Sequence, residues 1–127
     1  MIVIDASAAL AGLLNDGDGR RLLGTEQLHA PHLIDSEVAS VVRRRSARGD
    51  LLPADGWTIL QVWQQLGVIR YGVHGLLERV WELRHNLSAY EAGYVALAEA
   101  LGCTLVTADA RLGAAPGLRC PVTVIPR

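Results

Sequence analysis

Lysine is missing from this 127-residue chain, and all 12 of its Lys/Arg positions are arginine. That absence removes Schiff-base catalysis. It also removes the Walker A phosphate loop, whose glycine frame is missing as well. Cysteine is scarce. Cys103 and Cys120 form no close pair and have no histidine at finger spacing, which argues against structural zinc. Both are read as reduced thiols of a cytoplasmic protein. No apolar run approaches the ~18 residues a membrane helix needs, and the uncharged stretch from Gly56 to Ile69 holds three glutamines. The start, Met1-Ile2-Val3-Ile4-Asp5, has no basic leader and is not expected to act as a secretory signal. The formal net charge is only −1, so the molecule as a whole does not attract nucleic acid; local charge would have to do so. His29, His32, His74 and His85 lack a ligand spacing such as H-E-x-x-H and read as surface or packing residues. A Gly-x-Ser-x-Gly elbow is absent. Trp57, Trp63 and Trp81 are too few and scattered for a base-stacking platform and read as core or interface anchors.

What is present is a hydrophobic half and a charged fifth, the composition of one globular domain over residues 1–127. Short apolar runs alternate with helical patterns, which predicts βαβ units and a parallel sheet. Strands are expected at Ile2 to Ile4, Leu28 to Ala30, Val68 to Val73, Thr104 to Thr107 and Val122 to Ile125. Helices are expected at Ala8 to Leu14, Asp16 to Leu23, Leu33 to Arg48, Pro53 to Leu66, Gly75 to Arg84 and Ser88 to Leu101. Pro53 suits a first helical turn, and Gly49 and Gly102 suit helix ends.

Four carboxylates stand out by position. Asp5 follows the first strand and Asp109 follows Thr104 to Thr107, so both fall at the carboxyl edge where sites form in open α/β sheets. On its helix, Glu37 lies within the arc spanned by Leu33, Ile34, Val41 and Val42, counting about 100° per residue. A bare buried carboxylate is costly, and a cation would relieve it. Glu91 lies in line with Val95 and Ala98 on an Ala/Gly-rich helix. Each acid has a simpler explanation as well. Asp5 and Asp109 suit helix caps, Glu37 could pair with an arginine, and Ser88-Ala89-Tyr90-Glu91 has the pattern of a capping box. One shared site accounts for all four together. Its oxygen donors favour Mg²⁺ or Mn²⁺ over zinc.

At these residues the chain resembles the PIN-domain family, and within it the VapC toxins. The resemblance rests on Ile2-Val3-Ile4-Asp5-Ala6-Ser7-Ala8, on Glu37-Val38-Ala39, on Leu87-Ser88-Ala89-Tyr90-Glu91-Ala92 and on Leu105-Val106-Thr107-Ala108-Asp109, in that order along nearly the whole chain. It implies a three-layer α/β/α fold with a central, mainly parallel sheet of four to five strands. It implies an endoribonuclease with four acids around Mg²⁺ or Mn²⁺, usually a homodimer, silenced by a VapB-like antitoxin. Asp5, Glu37 and Asp109 match the family's acids. Glu91 stands where the family usually has Asp, one methylene shorter. Ser7 and Thr107 match hydroxyl positions beside that site.

The expected mechanism is hydrolysis of RNA phosphodiesters by a water that the ion makes more acidic. Arg43, Arg44, Arg45 and Arg48 crowd the end of the Glu37 helix, and Arg44 and Arg48 continue its Glu37 face. They are candidates for guiding a phosphate backbone; helix-dipole and solubility roles explain them equally well. The competing reading within the fold is a catalytically weak or inactive module that binds antitoxin or RNA. A phosphoacceptor receiver domain would need a lysine. A haloacid-dehalogenase-like phosphatase would need an Asp where Ser7 stands.

Overall fold

A computed structural model describes all 127 residues. Five strands form one sheet: β1 (Ile2–Ile4), β2 (Leu28–Pro31), β3 (Ile69–Tyr71), β4 (Thr104–Thr107) and β5 (Val122–Val124). Their order is β3-β2-β1-β4-β5 and every pairing is parallel. Parallel neighbours need crossovers, and helices supply most of them. They are α1 (Ala6–Leu14), α2 (Asp18–Thr25), α3 (Ile34–Ala47), α4 (Pro53–Gln65), α5 (Leu77–Glu82), α6 (Ala89–Leu101) and the short α7 (Ala110–Gly113).

The central strands are buried on both faces. Val3, Ile4 and Leu105 have no exposed surface, and Val106 only 2 %. That is why their sequences are continuous branched runs and not alternations. Helix α6 packs across β1, β2 and β4. Its inward face is Ala92, Val95 and Ala98, small side chains that let the backbone lie close to the sheet. Helix α1 touches β4 and carries α2, α3 and α4 around it. The result is the three-layer α/β/α arrangement expected from the alternating pattern. Gly12 and Gly19 let α1 and α2 meet backbone to backbone: a Cβ on Gly12 would lie 2.9 Å from the Gly19 carbonyl carbon.

Some boundaries differ from the sequence expectation. The third strand is three residues, not six, and all three pair with β2. The segment expected as one helix from Gly75 begins as a 3₁₀ turn, His74–Leu76, before α5. Both cysteines are free thiols, and burial pushes that of Cys120 up to about 11, which keeps it protonated. Trp63 is buried, whereas Trp57 and Trp81 are exposed. His29 is a packing residue: it is buried between the Tyr71 hydroxyl at 2.7 Å and the Gln27 side chain at 3.0 Å.

Candidate functional site

Strand order reverses between β1 and β4, and the chain places an acid at the carboxyl end of each. Asp5 leaves β1 and caps α1, its Oδ1 accepting from Ala8 N at 2.9 Å and from Ser7 Oγ at 2.6 Å. Only 7 % of the residue is exposed. Burial pushes its pKa above the ordinary aspartate value; hydrogen bonds from Ser7 and Ala8 and the nearby Thr107 hydroxyl oppose that, and the charge of Asp109 adds to it. Ser7 Oγ also accepts from Ala108 N at 2.9 Å and lies 3.2 Å from Thr107 Oγ1. Thr107 Oγ1 in turn accepts from Asp109 N at 3.0 Å. The two hydroxyls thus knit the end of β1 to the end of β4.

Asp109 caps α7 through Oδ1, which accepts from Arg111 N at 3.0 Å. Its partial desolvation is outweighed by Arg111 and the Arg127 charge, so its pKa is lowered. Glu91 closes the capping box of α6: its Oε1 accepts from Ser88 N at 2.9 Å while Ser88 Oγ accepts from Glu91 N at 3.2 Å. Glu37, in the first turn of α3, is half-buried and not bare. The Tyr94 hydroxyl of α6 donates to its Oε1 at 2.7 Å.

All four acids line one cavity of about 140 Å³. Each spends one oxygen on the scaffold: Oδ1 of Asp5, Oε1 of Glu37, Oε1 of Glu91 and Oδ1 of Asp109. The second oxygens of Glu91 and Asp109 both contact Nη2 of Arg111, at 2.6 and 3.3 Å. No close hydrogen bond from the chain reaches Oδ2 of Asp5 or Oε2 of Glu37. Carboxylate oxygens gathered in one cavity are the donor type that a hard divalent ion takes, although Arg111 holds two of them here. With the side chains as they stand, no three acids close around one ion.

A larger cavity of about 620 Å³ adjoins this one, and Ala6, Ser7, Glu37, Tyr90 and Arg127 line both. Leu10, Leu14 and Val41 supply apolar wall, and Arg44 and Arg45 supply positive charge. Arg44 donates to Ser40 Oγ at 3.1 Å. Arg48 lies off this wall and pairs with Asp50 at 3.2 Å.

A PIN domain model matches residues 2–118. The chain belongs to the PIN-domain family. It is 61 % identical to Ribonuclease VapC9 of Mycobacterium tuberculosis over 127 residues, the whole of both chains. In structure, this PIN domain resembles two solved proteins. One is VapC20 of Mycobacterium tuberculosis, described as a sarcin-ricin loop cleaving toxin, with a TM-score of 0.65 at 20 % identity over 90 % of this chain and 94 % of that one. The other is VapBC2 from Rickettsia felis, solved bound to a DNA fragment of its promoter, with a TM-score of 0.71 at 14 % identity over 98 % and 99 %. At these identities the two structures speak for the PIN fold.

Tyr94 and Arg111 are two neighbours of the acids in this PIN domain that the sequence pattern does not single out, as are Tyr90 and Arg127 on the cavity walls. Tyr94 carries a hydroxyl on the otherwise apolar inward face of α6, three residues after Glu91, and a buried phenol needs a partner. Arg111 follows Asp109 by two residues in a four-residue helix, where sequence spacing gives no sign that its side chain turns back onto two acids.

Proposed function

We propose that this chain is a divalent-metal-dependent endoribonuclease, the toxin of a cytoplasmic toxin–antitoxin pair, with residues 1–127 acting as one catalytic domain. The observation that carries the reading is the single cavity shared by Asp5, Glu37, Glu91 and Asp109, in a chain identical to a VapC ribonuclease at 61 % of positions. Those four residues would hold Mg²⁺ or Mn²⁺. The ion, when bound, supplies Lewis acidity toward a phosphate and a more acidic water. The chain's own residues hold the geometry. Ser7 and Thr107 lock the backbone that carries Asp5 and Asp109, and Tyr94 orients Glu37. Arg44, with Arg45 and Arg127, lines the adjoining cavity and would bind the phosphate backbone. Arg48 belongs to the same basic cluster at one remove. A VapB-like antitoxin is the proposed inhibitor and a homodimer the proposed state.

The test is cleavage mapping on total RNA with antitoxin-free protein, in Mg²⁺, in Mn²⁺ and in EDTA, beside Asp5→Ala. Discrete cuts that need metal and vanish in the variant are expected. Equal cutting by Asp5→Ala would defeat the assignment. RNA retention without any cutting would favour the binding-module reading.

A further inference from the structure

The chain carries a cation of its own at this site. Nη2 of Arg111 contacts Oε2 of Glu91 at 2.6 Å and Oδ2 of Asp109 at 3.3 Å. These are the oxygens the helix caps leave over, since Oε1 of Glu91 is bound by Ser88 N and Oδ1 of Asp109 by Arg111 N. Arg111 does not line the acid cavity; it draws both oxygens from the rim. Its side chain is 75 % exposed, so little packing holds it there.

Building on the metal reading above, we propose that Arg111 is the resident counter-cation of the Glu91–Asp109 pair and competes with the divalent ion for it. Two carboxylates this close repel each other unless a positive charge stands between them. In the metal-free protein the guanidinium supplies that charge. The oxygens that the caps leave over for an ion, Oε2 of Glu91 and Oδ2 of Asp109, are the two that Arg111 holds. An ion that joins them to Asp5 and Glu37 competes with Arg111 for them. The exposed side chain can swing into solvent without disturbing the core. Arg111 is thus a positioning residue that sets how tightly the site holds its ion and offsets the repulsion between Glu91 and Asp109 until one arrives.

The experiment is calorimetric titration of Mn²⁺ into the full, antitoxin-free chain, comparing wild type with Arg111→Gln, Arg111→Lys and Arg127→Gln, with a thermal melt of each. Arg111→Gln is expected to bind Mn²⁺ about tenfold more tightly, because the competing positive charge is gone. Its metal-free Tm should fall and its Mn²⁺-induced rise should grow. Arg111→Lys should stay within about threefold of wild type, because a mobile cation remains. Arg127→Gln removes a cation that lines the cavity but donates to neither of those oxygens, so it measures plain charge removal and should have the smaller effect. Wild type binding Mn²⁺ with unchanged or weaker affinity in Arg111→Gln would overturn the proposal and leave the metal reading standing. Equal tightening by Arg127→Gln, or a lysine variant as tight as the glutamine one, would overturn it too. Absence of Mn²⁺ binding in every variant would remove both readings together.

Discussion

The hydroxyl of Tyr94 donates to Oε1 of Glu37 across 2.7 Å, tying α6 to α3 at the rim of the acid cavity. The ring behind it is 4 % exposed. Burial first, then the hydrogen bond to Glu37 and its charge, raise the phenol's pKa far above the ordinary tyrosine value. Tyr94 therefore stays a donor at any working pH. It fixes which oxygen of Glu37 is spent and which is left; under the proposed function that is the part of an outer hydrogen-bond partner of a metal ligand.

Tyr94→Phe keeps the packed ring and removes the donor. Losing one hydrogen bond to a charged acceptor should cost about 1–2 kcal/mol of stability, read by urea unfolding. The freed Glu37 should weaken Mn²⁺ binding and RNA cleavage by roughly tenfold, in the range known for outer partners of metal ligands. A variant less stable but unchanged in Mn²⁺ affinity would reduce the contact to a structural one.

Asp5→Asn separates cap from charge. Asn caps a helix about as well as Asp, so α1 should persist. Burial raises the pKa of the wild-type carboxyl in the fold, so folding works against its charged form. Stability from that group is present at low pH and is lost as pH climbs through the raised value. At neutral pH the metal-free Asn variant should therefore be more stable than wild type. Its Tm should respond little to Mn²⁺, and cleavage should fall by more than about a hundredfold. A metal-free Tm below that of wild type would contradict the electrostatic cost assigned to Asp5.

The sheet and the acids were legible in the sequence for the same reason. Branched runs such as Ile2-Val3-Ile4 mark buried parallel strands, and a strand end fixes where the next side chain emerges, so Asp5 and Asp109 could be placed together. Glu37 and Glu91 followed from helical periodicity. The readings that did not transfer depend on tertiary contacts. Periodicity put Glu37 inside a buried stripe, but α3 packs on α1 and α4 and leaves part of that stripe open, Leu33 included, and the partner turned out to be a phenol 57 residues away. Arg44 and Arg48 share a helical face, yet the larger cavity reaches only the first of them. Arg70 showed no pattern at all, because what holds it is spread over three elements.

That arginine gives the clearest pH signature. It donates to both oxygens of Asp35, at 2.6 and 2.8 Å, while Trp63 Nε1 donates to Oδ1 at 2.8 Å. The cluster joins β3 to α3 and α4. Hydrogen bonds from Arg70 lead the causes that lower the Asp35 pKa, and partial desolvation only partly offsets them. A lowered carboxyl contributes stability that is fully present above the ordinary aspartate value and is lost as pH falls through the folded one. Asp35→Asn should thus destabilise at pH 7, by about 1 kcal/mol after discounting for a side chain 43 % exposed. The gap to wild type should close on acidification. A gap that widened toward low pH would reverse the assignment. Asp35 is absent from the walls of both cavities, so cleavage should be little changed.

Glu91→Asp sets stability against site chemistry in a single methylene. The glutamate is long enough to reach Ser88 N with one oxygen and Arg111 with the other. An aspartate at the same helical position is too short to close the capping box, so α6 should lose about 0.5–1 kcal/mol at its first turn. The shorter side chain also retreats from Arg111, which frees both of its oxygens for an ion. Mn²⁺ should then bind several-fold more tightly while the metal-free protein melts at a lower temperature, the exchange of stability for function expected where one residue serves a cap and a site. Paired melts and Mn²⁺ titrations distinguish the two effects, because a merely damaged fold lowers both. If the aspartate variant lost stability and affinity together, the glutamate would be the better ligand here, and its extra length would belong to the site and not to the cap.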